Sequence, residues 1–83
     1  MNEERLGKIV IESMSEVTGL NMDSLEKIKS VNLFDKGILN SMSLVSLLTQ
    51  IENRIDKRIE IRDCKLEDFI SIESITDLLV RLN

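Results

Sequence analysis

Ser41 is the residue whose type and position in this chain could do chemistry. It follows Gly37 and Asn40, which interrupt any helical pattern, and precedes apolar residues that recur as Leu44, Leu48, Ile51 and Ile55, with Val45 and Leu47 widening the stripe. That spacing is the face of a helix buried along one side. Asn40 is among the best N-cap residues, so Ser41 falls in the first turn. Unpaired backbone amides and the positive end of the helix dipole stabilise an anion there. A hydroxyl so placed suits attachment of a phosphate-linked group. Serine near a helix start is also common for capping reasons alone, so the position draws its meaning from the residues around it.

Other reactive constellations are missing from the sequence. It contains no histidine and one cysteine, Cys64, which leaves no Ser-His or Cys-His pair, no internal disulfide and no thiol cluster for a metal. No Gly-rich phosphate loop or Glu-containing zinc motif occurs. Asp35, Glu52 and Asp56 read as carboxylates of solvated faces or loops, Asp35 bonding local backbone before Gly37. The expectation is a protein with no catalytic residue and no metal site, on which other proteins do the chemistry.

The chain has 83 residues, of which 42% are hydrophobic, with no proline, tyrosine or tryptophan. This predicts one domain over residues 1–83 with a helical core of Leu, Ile, Val and Met. A net charge of −4 without basic patches or aromatic platforms argues against nucleic acid. No apolar run approaches the ~20 residues of a membrane span, and the start, Met1-Asn2-Glu3-Glu4-Arg5, is polar, so a cytoplasmic monomer is expected.

Four helical segments must position Ser41. Glu3 to Thr18 carries Leu6, Ile9, Val10, Met14 and Val17 on one face, with Gly19 as its stop. A long connection from Leu20 to Asn40 follows. Within it Asp23 and Glu26 resemble a capping box opening a short turn to Lys29, while Leu25, Ile28, Val31, Leu33, Phe34 and Ile38 pin the segment to the core. A connection of this length can span a bundle and join helices that run roughly parallel. The helix Ser41 to Ile55 comes next, then an extended loop anchored by Ile59 and Ile61. Lys65 to Phe69 forms a short helix, and Ser71 caps a last helix, Ile72 to Leu82, with Ile75, Leu78, Leu79 and Leu82 on one face.

The string Leu33-Phe34-Asp35-Lys36-Gly37-Ile38-Leu39-Asn40-Ser41-Met42 resembles the acyl and peptidyl carrier protein superfamily, and within it the D-alanyl carrier proteins. Asn40-Ser41-Met42 is similar to the family's Asp-Ser-Leu-like motif. Asp68-Phe69-Ile70-Ser71-Ile72-Glu73-Ser74-Ile75 is similar to the family's entry into its last helix. The resemblance implies an all-α, acyl-carrier-like four-helix bundle with three main helices, one short helix and a long loop between the first two long ones. It also implies a 4′-phosphopantetheine arm, taken from coenzyme A, on Ser41. The family's usual aspartate is Asn40 here, which keeps the capping oxygen and removes a charge.

On that resemblance the chain is a carrier, not an enzyme, that holds an acyl or aminoacyl group as a thioester, D-alanine being the cargo the motif favours. Its partners would be a phosphopantetheinyl transferase and the enzymes that load and accept the cargo. Asn40, Met42 and Val45 are the candidate partner-binding residues. Fatty-acid carriers make the helix after the serine acidic, whereas Asn40, Ser43, Ser46 and Asn53 stand at such positions here, beside Glu52 and Arg54. The competing reading is an unmodified helical interaction module with the carrier fold.

Overall fold

The computed structural model describes residues 2–82; Met1 and Asn83 lie outside that range. Among the described residues the regular structure is helical: α1 (Glu3–Thr18), α2 (Met22–Glu26), α3 (Ser41–Ile55) and α4 (Ile72–Leu82), with 3₁₀ turns at Ile61–Asp63 and Leu66–Phe69 between α3 and α4. The three long helices, with the long loop between α1 and α3, are the expected all-α bundle; the short helix expected over Lys65 to Phe69 is the 3₁₀ turn Leu66–Phe69, and the turn expected within the long loop is α2.

Each helix begins and ends where local chemistry dictates. The Asn2 side chain accepts from Arg5 N at 2.8 Å and starts α1, while Gly19, at φ 78, closes it by donating its amide to Ser15 O. Glycine adopts that left-handed conformation without the strain an L side chain brings to it. The short α2 is capped by Asn21, which accepts from Ser24 N at 2.8 Å, and not by the expected Asp23–Glu26 box. Asn21 stands one residue ahead of the helix, and the carboxylate of Asp23 lies already inside its first turn. Ser71 opens α4 as expected, its hydroxyl accepting from Ser74 N and the Ser74 hydroxyl accepting from Ser71 N, both at 3.0 Å.

The core is one cluster drawn from every helix and from the loops. It includes Leu6, Val10, Ile11 and Met14 of α1, Leu47, Leu48 and Ile51 of α3, Ile72, Ile75, Leu78 and Leu79 of α4, and Leu25, Leu33, Leu39, Ile59 and Phe69 between them. Met14 is a core filler, as adaptable methionines usually are. Val45 departs from the expected stripe and is 57% exposed. At about 100° per residue Val45 and Leu47 point roughly 200° apart, so one core cannot receive both. Ile59 anchors its loop, but Ile61 is exposed because a 3₁₀ turn begins there instead of the expected extended loop continuing.

The contacts also set helix direction. Asn40 and Ser43, at the start of α3, share a groove with Glu16 and Val17 at the end of α1. Arg54, near the end of α3, shares another with Arg5 and Lys8. The two helices therefore run antiparallel, and the long loop does not join parallel helices. It leaves the end of the bundle where α1 stops and returns to it. Amphipathic spacing records which side of a helix is buried and carries no sign of its direction, so the sequence permitted either course.

Buried polar groups in this core are paired. Ser13, fully buried, accepts from Arg54 Nη1 at 3.3 Å, and the same guanidinium donates to Glu16 at 2.7 Å. Thr76 donates to Ile72 O at 2.8 Å. Asp68 accepts from Lys65 N and from Arg81, fixing the second 3₁₀ turn against α4. The Lys65 amide first, and then Arg81, hold its carboxyl below the usual carboxylate range.

Candidate functional site

The segment leading to Ser41 is a loop held like a core element. Asn32 begins it, its side-chain oxygen accepting from Phe34 N and Asp35 N at 3.0 Å each. This is the local bonding expected of Asp35. Asn32 performs it because it lies ahead of both amides, where its carbonyl can reach them. Gly37, at φ 71, lets the chain reverse. Leu33 is the hub of the segment. Its carbonyl accepts from Ile38 N at 2.9 Å and Leu39 N at 3.1 Å, and its amide donates to Ile70 O at 2.7 Å. Both Leu33 and Leu39 are buried. Two bonds therefore tie the lead-in to the start of α4, Leu33 to Ile70 and Glu73 N to Lys29 O at 2.9 Å.

At the start of α3 a reciprocal capping box forms. Asn40 Oδ1 accepts from Ser43 N at 3.0 Å, and Ser43 Oγ accepts from Asn40 N at 2.8 Å. Leu44 N makes the first full-turn bond to Asn40 O at 2.8 Å. Ser41 and Met42 fall between these bonded positions, so their amides belong to the helix's unpaired first turn. Ser41 is exposed, and Ser43, not Ser41, is engaged in the cap.

This geometry fits the chemistry read from the sequence. An accessible hydroxyl stands beside two amides that lack helical partners, at the positive end of a four-turn helix, where a phosphodiester's negative charge is stabilised. Asn40 supplies its cap without a carboxylate, because capping needs only the Oδ1 acceptor. Replacing Asn40 with Ala should lower unfolding stability by about 0.5–2 kcal/mol, whereas Asn40→Asp should hold it, as chemical denaturation would show. Equal stability of the two variants would place the cap elsewhere.

Of the candidate partner-binding residues, Asn40 is exposed at the cap, Met42 is 83% exposed and Val45 is 57% exposed. Met42 and Val45 are three residues apart and so neighbours on the outer surface of α3. The structure brings all three beside Ser41. Sequence reasoning named Leu33 among the residues that pin the segment to the core, as its burial bears out, and did not single out Asn32. The sign of Asn32 was its place two and three residues before the amides it accepts from, the spacing of an Asx turn.

Cys64 is a half-buried thiol that donates to Glu60 O at 3.4 Å. Burial pushes its pKa up, with Asp68 and Asp63 adding to the effect and Arg81 opposing it. A raised pKa means less thiolate at a given pH, and the thiolate is the nucleophile. Cys64 should therefore alkylate more slowly at neutral pH than an unperturbed thiol, with its rate rising toward alkaline pH. Iodoacetamide kinetics against a free cysteine peptide would check this, and equal rates at neutral pH would contradict it.

Comparison with known proteins gives concordant matches. A family model described as the phosphopantetheine attachment site matches residues 8–79. The D-alanyl carrier protein of Listeria innocua is 32% identical over 73 residues, an overlap covering 88% of this chain and 91% of that protein. The D-alanyl carrier proteins of Streptococcus sanguinis and Streptococcus gordonii are each 33% identical over 73 residues, covering 83% of this chain and 89% of those proteins.

Proposed function

The chain belongs to the phosphopantetheine attachment site family, and we propose that within it Ser41 is the residue that bears the arm. The protein is a carrier of acyl or aminoacyl groups on 4′-phosphopantetheine, like the D-alanyl carrier proteins. The observation that supports Ser41 is its exposed hydroxyl in the first turn of α3, outside the cap that engages Ser43.

The chemistry asked of the chain is brief. Ser41 Oγ attacks the phosphorus of coenzyme A that carries the pantetheine. A new Oγ–P bond forms, the pyrophosphate P–O bond breaks, 3′,5′-ADP leaves, and the hydroxyl proton passes to a base of the transferase. The first-turn amides and the helix dipole then stabilise the phosphodiester. When attached, the arm supplies a terminal thiol on which cargo is held as a thioester. Loading and delivery belong to partner enzymes, and the chain, itself not catalytic, raises the local concentration of cargo at the end of a tether.

D-alanine is the cargo we favour, because the relatives with which this chain aligns over most of its length are D-alanyl carrier proteins. Residues 1–83 act in this reading as one carrier domain, a cytoplasmic monomer that meets its transferase, loading enzyme and acceptor enzyme in turn. Among the described residues no helix is long and apolar enough to cross a membrane.

Intact-protein mass after incubation with coenzyme A and a broad-specificity phosphopantetheinyl transferase tests the reading. A gain of one phosphopantetheine, mapped by peptide digestion to Ser41, supports it. No gain while a known carrier is modified in parallel would favour the unmodified interaction module, unless Asn40→Asp restores it and so identifies a transferase that requires the carboxylate. Supplying the modified protein with D-alanine and a D-alanine-activating enzyme then tests the cargo.

A further inference from the structure

The chain holds six asparagines, Asn2, Asn21, Asn32, Asn40, Asn53 and Asn83. An asparagine side chain is open to attack by the backbone nitrogen of the next residue, which closes a five-membered ring, and a bulky side chain on that residue shields the nitrogen. The residues that follow the first five are Glu3, Met22, Leu33, Ser41 and Arg54. Serine is the one small side chain among them.

The fold sharpens this difference. Leu33 N, which would attack Asn32, is held by Ile70 O at 2.7 Å. Arg54 N, which would attack Asn53, lies inside the hydrogen-bonded ladder of α3. Asn2, Asn21 and Asn40 each cap a helix, so the nitrogen that follows belongs to an unpaired first turn. The side chains of Asn2 and Asn21 accept from one donor each, Arg5 N and Ser24 N, both at 2.8 Å. Asn40 Oδ1 has two, Ser43 N at 3.0 Å and the Ser43 hydroxyl at 3.3 Å. Two donors draw electron density from Cγ and stand where an oxyanion would form. The same bonds fold this exposed side chain back over the turn that begins with Ser41 N.

We propose that Asn40 deamidates spontaneously, with Ser41 N as the nucleophile, and that an aspartate thereby arises beside the attachment hydroxyl. Ser41 N gives its proton to hydroxide and bonds to Asn40 Cγ. The bond from Cγ to Nδ2 breaks, and Nδ2 takes a proton from water and leaves as ammonia. Water then adds to Cγ of the ring, the bond to Ser41 N breaks, and that nitrogen regains a proton, leaving a carboxyl group that ionises. Water adding at the main-chain carbonyl instead gives isoaspartate, whose Cβ lies in the backbone. The aspartate keeps an acceptor for Ser43 N, so the cap survives, and its charge is favoured at the positive end of α3. The consequence for arm transfer rests on the reading of Ser41 as the attachment site: a transferase that distinguishes wild type from Asn40→Asp distinguishes fresh from aged chain as well.

Prolonged incubation of the purified chain in mildly alkaline buffer, with peptide mapping by mass, tests this. The expected result is conversion of the Asn40 amide to an acid at least about tenfold faster than at Asn21, a cap followed by the larger Met22. Ser41→Val, which shields the attacking nitrogen, should slow conversion at Asn40 by about tenfold or more. An equal rate at Asn21, or an unchanged rate in Ser41→Val, would overturn the proposal. Treatment of aged wild type with coenzyme A and a broad-specificity phosphopantetheinyl transferase reports separately on Ser41. The arm found on another residue of a chain converted at Asn40 would refute the Ser41 reading and leave deamidation standing. An intact Asn40 in aged chain that takes the arm at Ser41 would refute deamidation alone.

Discussion

Ser41→Ala should abolish the gain of one phosphopantetheine while shifting unfolding stability by no more than about 0.5 kcal/mol, the usual range for a surface substitution. The loss is complete because the hydroxyl is the atom that forms the new bond. The fold is indifferent because Ser41 is exposed and the cap belongs to Asn40 and Ser43. Three serines lie in the first half of α3, Ser41, Ser43 and Ser46, and they are not equivalent. Ser43 Oγ accepts the Asn40 amide at 2.8 Å, so modifying it would unmake the cap. Ser46 lies beyond the first turn, where the backbone amides bond within the helix and the dipole is weaker. Intact mass and peptide mapping of wild type, Ser41→Ala and Ser46→Ala would check this. Retained modification of Ser41→Ala, located on Ser43 or Ser46, would refute the assignment.

The second large effect is expected at a residue outside the regular elements. Leu33→Ala should destabilise the protein by roughly 2–5 kcal/mol, the range for truncating a buried leucine in a helix core. Leu33 belongs to the connection between α2 and α3, yet it is 0% exposed and packs in the same cluster as Leu48 and Ile51. Its removal leaves a cavity under the turn that precedes Ser41. Against a total stability of about 5–15 kcal/mol for a small domain, that is a substantial fraction. Leu66→Ala, at a leucine 69% exposed in the second 3₁₀ turn, should shift stability by less than about 0.5 kcal/mol. Urea unfolding of both variants makes the comparison. Equal, small shifts would mean that the lead-in loop is not anchored through Leu33.

Much of the architecture was legible in the residues because it is written locally. The bounds of α1, α3 and α4 follow from caps and periodicity that lie within or beside each helix: Asn2 and Gly19, Asn40 with Ser43, and Ser71 with Ser74. The first cap of α2 was misjudged because Asn21, Asp23 and Ser24 are all capping residues, and only the backbone path decides which one precedes the turn. The place of Val45 in the buried stripe, which sat beside its reading as a partner-binding residue, and of Ile61 as a loop anchor was misjudged for a related reason. A stripe's width depends on how closely neighbouring elements cover it, and an apolar residue at its border is assigned by packing rather than by spacing.

The sequence by itself determined the immediate setting of the proposed attachment residue. Ser41, its preceding Asn40 cap, the Gly37 turn and the amphipathic helix that follows are separated by a few positions, and the forces among them act over the same short distance along the chain. The family relationship came from the same string. The antiparallel course of α1 and α3, the tethering of the lead-in to Ile70 and Glu73, and the capture of Glu52 and Arg54 by Ile59, Ser13 and Glu16 were decided only by the tertiary structure. These contacts join residues from different elements, Arg54 meeting Ser13 from another helix. Whether a charge faces a partner or is bound within the fold depends on what stands opposite it in space, and one-dimensional spacing does not contain that information.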